Sequence, residues 1–134
     1  MALVECELNQ VIMSETHDRH LVVLKEKDGE RKLPIVIGFF EVWAIHRTLN
    51  DEPPPRPFTH ELFGNVLDEL GVEIERVVVN ALRDGTFYGR LVLIRDGETY
   101  DIDSRPSDAT ALAVQKGAPI FVDDEVLERA SADF

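Results

Sequence analysis

Val4, Cys6 and Leu8 alternate with Glu5, Glu7 and Asn9, the period-two pattern of a half-buried strand. Leu21 to Leu24 and Leu33 to Ile37 read as two further strands, and Asp28-Gly29 between them suits a tight hairpin turn with positive φ. Pro34 has no amide proton to give to a ladder, so its strand is expected at a sheet edge or a bulge. After Gly38 the period changes. Phe39, Phe40, Trp43 and Leu49 recur at helical spacing and predict a helix to about Asn50. The segment Asp51-Glu52-Pro53-Pro54-Pro55-Arg56-Pro57 cannot continue it, and reads as a stiff extended spacer or as a ligand for a proline-recognition domain.

Thr59 is a good N-cap for a second helix, which carries Leu62, Phe63, Val66, Leu67 and Leu70 on one face and closes at Gly71. Ile74 to Val79, Phe87 to Ile94 and Thr99 to Ile102 are strand-like runs separated by Asp84-Gly85 and Asp96-Gly97, which predicts a three-strand meander. Pro106-Ser107-Asp108 opens a short alanine-rich helix to about Gln115, capped by Gly117. Pro119 to Val122 is a last short strand, and Asp123 or Asp124 caps a terminal helix containing Val126 and Leu127. Strands and helices mix without strict βαβ alternation. The expected fold is α+β: one compact domain over residues 1–134, with mixed or antiparallel sheet and three to four helices.

Composition narrows the class. The chain has 134 residues, 44% hydrophobic and 30% charged, which suits a soluble globular domain and leaves little room for a second core. A single cysteine, Cys6, excludes an internal disulfide and a cysteine-based zinc site. No apolar run approaches the roughly 20 residues of a membrane span, and Met1 to Glu5 carries no basic leader, so a cytoplasmic protein without a membrane partner is expected. The formal charge of -12 argues against non-specific wrapping of DNA, RNA or anionic membrane. Its placement tempers that conclusion. Residues 1–30 hold seven acids and three bases and residues 123–134 five acids and one base, so 31–122 is close to balanced, with 14 acids and 10 bases. A local anion site is compatible with that middle stretch.

Two segments there share a shape: Arg56-Pro57-Phe58-Thr59-His60-Glu61 and Arg105-Pro106-Ser107-Asp108-Ala109. Each sets Arg-Pro before a hydroxyl residue at a predicted helix start, where unpaired N–H groups and an adjacent guanidinium suit a phosphate, although ordinary capping would use the same residues. Arg56, Thr59, Arg105 and Ser107 are therefore phosphate-binding candidates. On an extended strand, Asp101, Asp103 and Arg105 point to one face. Two carboxylates so placed can hold Mg²⁺ or Mn²⁺, or can simply pair with arginine. Glu41, at a helix start, suits either a dipole partner or a further metal ligand. His60, in the first turn of its helix, is a candidate acid or base near neutral pH. His17 and His20 flank a turn and are expected in solvent, while Phe39, Phe40 and Trp43 are expected in a core or a subunit interface. There is no P-loop and no GxGxxG.

Five blocks in order along the chain carry a resemblance. They are Leu33 to Gly38, Arg56 to Leu62, Arg83-Asp84-Gly85-Thr86-Phe87-Tyr88-Gly89-Arg90-Leu91, Asp103 to Ala113, and Gly117 to Val122. Together they resemble the bifunctional nuclease domain family. The resemblance implies a compact α+β fold, often homodimeric, and hydrolysis of DNA and RNA phosphodiesters. Its polar positions fall here on Glu41, Arg56, Thr59, His60, Asp103, Arg105, Ser107 and Asp108. Phe39-Phe40-Glu41-Val42-Trp43 is bulkier than the family's usual small residues around that glutamate, which would narrow a cleft or strengthen an interface.

The expectation is a divalent-metal nuclease acting weakly and locally on nucleic acid strands. Arg56 and Arg105 would hold phosphate, Asp101 and Asp103 the metal, and His60 or Asp108 the proton. The alternative is a non-catalytic regulatory module that holds a small anion or a protein partner at the two Arg-Pro helix starts.

Overall fold

The protein is described by a computed structural model covering residues 2–14, 16 and 19–132. His17 lies outside the described residues. In chain order the elements are β1 (Leu3–Ile12), β2 (His20–Glu26), β3 (Lys32–Ile37), α1 (Phe39–Leu49), α2 (Thr59–Glu69), β4 (Glu73–Arg83), β5 (Thr86–Arg95), β6 (Glu98–Ser104), α3 (Pro106–Lys116), β7 (Ile120–Asp123) and α4 (Asp124–Ala132). The strands form one sheet in the order β3-β2-β1-β7-β4-β5-β6. Every neighbouring pair is antiparallel except β4 and β7, which run parallel. The fold is thus α+β on a mixed sheet, as the patterning predicts.

The sheet consists of two hairpin-built halves with a late strand between them. Asp84-Gly85 and Asp96-Gly97 turn the second half, and all four residues have φ between 51° and 80°. Positive φ at both central positions matches the right-handed twist of the flanking strands, and Asp-Gly tolerates it. The β2–β3 connection differs from expectation. Gly29 is not among the positive-φ glycines, and a Cβ there would instead collide with the Glu26 carboxylate. Glu26 needs that space because Arg31 donates to both of its oxygens at 3.0 Å. Pro34 stands in β3, an edge strand paired only with β2, where a missing N–H is tolerated.

The core follows the period-two rule. Val22 and Leu24 of β2, Leu33 and Ile35 of β3, Val77 and Val79 of β4, and Ile120 and Val122 of β7 are all buried. Against them pack Val42 and Ile45 of α1, Leu112 of α3 and Leu127 of α4. Each such side chain contributes roughly 1.5–3 kcal/mol on burial.

Two assignments made from the sequence need correction, for Thr59 and His20, and the structure also places two apolar clusters. The apolar face expected on α2 is mostly outside the core: Leu67 is buried, but Leu62, Phe63, Val66 and Leu70 are exposed. Thr59 is the first residue of α2 and not its cap; Phe58 is the N-cap, and its N–H is accepted by Glu61 Oε1 at 3.3 Å. His20 is buried at the start of β2, where its Nδ1 accepts the Ser14 N–H at 3.1 Å, so it is not a solvated turn histidine. Phe39 and Phe40 are exposed, which is the interface alternative of the expectation and not the core one.

One glycine governs how the sheet meets α3. Gly89 of β5 pairs with Ser104, and a Cβ on it would lie 3.0 Å from the Ser104 carbonyl oxygen and 3.3 Å from Pro106 N. Backbone on backbone leaves no flexible side chain to yield. Gly89→Ala is therefore expected to lower stability by about 1 kcal/mol or more in urea unfolding, and an unchanged midpoint would show that the β6–α3 junction relaxes freely.

Candidate active site

The β6–α3 junction projects its polar residues toward the starts of α1 and α2. The cleft there has a volume of about 610 Å³ and is lined by Glu41, Thr59, His60, Asp103, Arg105 and Asp108 among its polar residues. Phe40, Phe63, Leu91, Ile102 and Leu112 supply its apolar lining. Phe40 is 73% exposed, so the cleft carries a bare aromatic face beside its charges.

Arg105 is the N-cap of α3 and the centre of the polar network. Its Nη2 donates to Glu41 Oε1 at 2.7 Å, and its Nε donates to Asp108 Oδ2 at 2.9 Å. Glu41 first and Asp108 second push the pKa of Arg105 upward, which keeps the guanidinium charged. Glu41 can tuck back against its own helix start because Gly38 has no Cβ, which would otherwise lie 2.7 Å from Glu41 Oε2. The second oxygen of Asp108, Oδ1, lies 3.0 Å from His60 Nε2. One carboxylate thus holds both a guanidinium and an imidazole.

The orientation of α2, and so of His60, depends on a residue absent from the sequence-derived set. Arg47 of α1 has a side chain only 8% exposed and donates through Nη2 to Glu61 Oε1 at 2.9 Å. Its guanidinium also lies 4.5 Å from the Phe58 ring centroid, a cation–π contact. Glu61 accepts from Phe58 N–H as well, so a single carboxylate ties α1 to the first turn of α2. The sequence signal was the Phe58-x-x-Glu61 spacing of a reaching-back glutamate; the partner on α1 had no local signal.

The structure brings six of the predicted residues together and leaves three out. Arg56 is exposed in the proline-rich connection and does not line the cleft. Ser107 is buried in α3. Asp101 turns to Arg90, whose Nε donates to its Oδ1 at 2.8 Å, and Arg90 Nη1 also approaches Asp103 Oδ1 at 3.7 Å. The Asp-x-Asp pair is therefore a cross-strand partner of arginine. Arg90 and Asp103 stand directly opposite in the β5–β6 register, and counting outward from Asp96-Gly97 would have placed them there.

These partners bear on the expected Mg²⁺ or Mn²⁺. Glu41 and Asp108 hold Arg105, and Asp101 holds Arg90. Among the described residues no three histidine, cysteine, aspartate or glutamate side chains converge on one point. Mg²⁺, which is commonly bound through one or two carboxylates plus a substrate phosphate, does not require such a group.

An α+β domain on a mixed sheet, with arginine, histidine and carboxylate gathered at a helix start, describes the class. The chain matches the bifunctional nuclease domain over residues 22–134, and it belongs to that family. An uncharacterized protein of Mycobacterium tuberculosis is 36% identical over 118 residues, which is 88% of this chain and 70% of the relative. Bifunctional nuclease 1 of Oryza sativa subsp. japonica is 26% identical over 85% of this chain and 36% of its own length. Bifunctional nuclease 2 of Arabidopsis thaliana is 29% identical over 75% of this chain, which is 32% of that protein. The chain thus spans about a third of these plant relatives.

The Glu41–Arg105 contact makes a direct test of the network. Glu41 is 9% exposed, so Arg105→Ala would strand a nearly buried carboxylate, at a cost of about 1–3 kcal/mol in urea unfolding. Adding Glu41→Gln should recover part of that loss, and strictly additive single and double variants would show that the pair is uncoupled.

Proposed function

We propose that this domain is a nuclease that cleaves phosphodiester bonds of DNA and RNA strands in the 610 Å³ cleft. The observation that carries this reading is the single Asp108 carboxylate that fixes Arg105 on one oxygen and His60 on the other. Membership of the bifunctional nuclease domain family supports it.

The chemistry follows from the hydrogen bonds. An ionised Asp108 accepts, so His60 donates through Nε2–H, and its Nδ1 keeps the lone pair of a base. A base so oriented takes the proton of an attacking water. Arg105 uses Nε and Nη2 on the protein, and its remaining Nη1 can meet the phosphate oxygens as charge builds on phosphorus. Asp108 is a positioning residue. Phe40 and Phe63 offer stacking surface for unpaired bases, which favours single strands. With a net charge of -12 the protein gains little from the rest of the phosphate backbone, so binding should be loose and salt-sensitive. No step is assigned to a metal.

We also infer a homodimer built on the outer face of α2. Leu62, Val66 and Leu70 recur every fourth residue there and are 55%, 46% and 52% exposed. A contiguous apolar stripe of this kind is what subunit interfaces cover. The lone Cys6 is buried, and we place the protein in a reducing cytoplasm. No helix among the described residues is long and apolar enough to cross a membrane.

Labelled single-stranded DNA and RNA, incubated with the wild type and two variants, test the nuclease reading. His60→Ala is expected to slow cleavage about 10²-fold or more, and Arg105→Ala about 10²–10³-fold. Undiminished cleavage by both variants would remove the site. An inactive wild type that still binds small anions would move the reading to a regulatory module. For the dimer, sedimentation velocity should show the wild type at twice the mass of Val66→Glu, and equal masses would exclude this face.

A further inference from the structure

We propose that the pocket at the start of α2 is a second phosphate site, in which the buried Arg47 guanidinium and the opening N–H groups of α2 hold a strand phosphate next to the one at Arg105. This rests on the nuclease reading and deepens it. A phosphate contact takes no account of the sugar, so the site serves DNA and RNA strands alike.

The pocket has a volume of about 200 Å³ and is lined by Phe40, Arg47, Phe58, Thr59 and His60. Phe40, Thr59 and His60 also line the main cleft, so the two cavities share a wall. Charge sets the smaller one apart. The main cleft has three acidic residues in its lining, and so has the cavity that Arg47 shares with Pro53 and Pro54. The pocket at α2 has none among the described residues, in a chain of net charge -12.

Arg47 supplies the observation that points to a ligand. Its side chain is 8% exposed, and its Nη2 donates to Glu61 Oε1 at 2.9 Å. Nε and Nη1 are shut off from water and have no hydrogen-bond partner. A buried, charged donor without an acceptor is costly, and in a folded protein it calls for an explanation. The guanidinium lies 4.5 Å from the centre of the Phe58 ring. Phe58 is itself 48% exposed, so an outward turn of that ring opens the guanidinium to an anion in the pocket.

The start of α2 supplies the other donors. Its N-cap is Phe58, whose ring has no oxygen to accept the N–H groups of the first turn. α2 runs for 11 residues, and the amino end of such a helix attracts anions. A strand with one phosphate at Arg105 carries the next past His60 and Thr59 into this pocket.

The test needs no turnover. The full chain, labelled with ¹⁵N, is titrated with a dinucleoside monophosphate, a trinucleoside diphosphate and a 5′-phosphorylated dinucleotide of DNA. Arginine Nε–H and backbone amide signals are followed by NMR, and the Arg47 signal is the one missing from Arg47→Lys. A second phosphate should tighten binding about tenfold, as one charge-assisted contact does, and should move the Arg47, Thr59 and His60 signals together. Arg47→Lys keeps the charge without the forked donors and should cut that gain to about threefold or less. Thr59→Glu sets a carboxylate where a helix start favours it, so it should fold as the wild type does and still lose the gain. Either two-phosphate ligand can show the gain, and which one does tells a continuing strand from a strand end. In cleavage, Arg47→Lys should slow a two-phosphate substrate about threefold or more beyond its effect on a one-phosphate substrate. A purely structural role, exerted through α2, would slow both alike and overturns the proposal. Equal affinity for one and two phosphates, or an Arg47 signal that stays still while that of Arg105 moves, overturns the second site whether or not strands are cut. Tighter binding of two phosphates with no cleavage of any strand overturns the nuclease reading and leaves the site standing.

Discussion

The structure depends on one four-residue strand. β7 lies between β1 and β4, antiparallel to the first and parallel to the second, so that Ile120 faces Cys6 on one side and Val77 on the other. Without it the sheet would be two separate three-stranded pieces, each with a long unpaired edge. Ile120 and Val122 are buried, and they bring the cores of the two pieces into one. The parallel pairing also explains the order of helices: β6 must return across the sheet before the chain can enter beside β4, and α3 is that return. The cleft sits where α3 begins. Its chemistry therefore inherits its position from a topological requirement.

Around that point the protein uses carboxylates as rulers. Glu61 spans α1 and the start of α2, Asp108 spans Arg105 and His60, and Glu41 spans α1 and the start of α3. Each has one charge-assisted bond that crosses between elements, and such bonds are shorter and more directional than neutral ones. This gives the acidic composition a local meaning. Several of its negative charges serve to hold arginines, and one of those arginines, Arg105, stands at the cleft.

Much of this was legible in the sequence, for identifiable reasons. The turns at Asp84-Gly85 and Asp96-Gly97 and the alternation on either side define the meander, although β4 shifts register twice against β5. Gly117, with φ of 68°, ends α3 where expected. Arg105, Asp108 and His60 could be singled out because helix starts have a local signature. What stayed hidden was non-local. The insertion of β7 joins residues about 115 apart in sequence. The outward turn of α2 cannot be read from periodicity, since an apolar stripe looks the same whether a core or a partner covers it. The bond of Arg90 to Asp101 is diagonal, since the register sets Arg90 opposite Asp103, so counting outward from the turn does not give it.

The seam also sets the timetable of folding. Residues 120–123 follow both β1 and β4 in the chain, yet both strands wait for them. During translation the two halves can form their hairpins early, because those contacts are local, but the edges of β1 and β4 stay open until β7 has been made. Long-range strand pairing of this kind slows folding and leaves unpaired edges exposed to other chains in the meantime. The interval between the emergence of β4 and that of β7 is therefore the period in which those two edges are open to other chains.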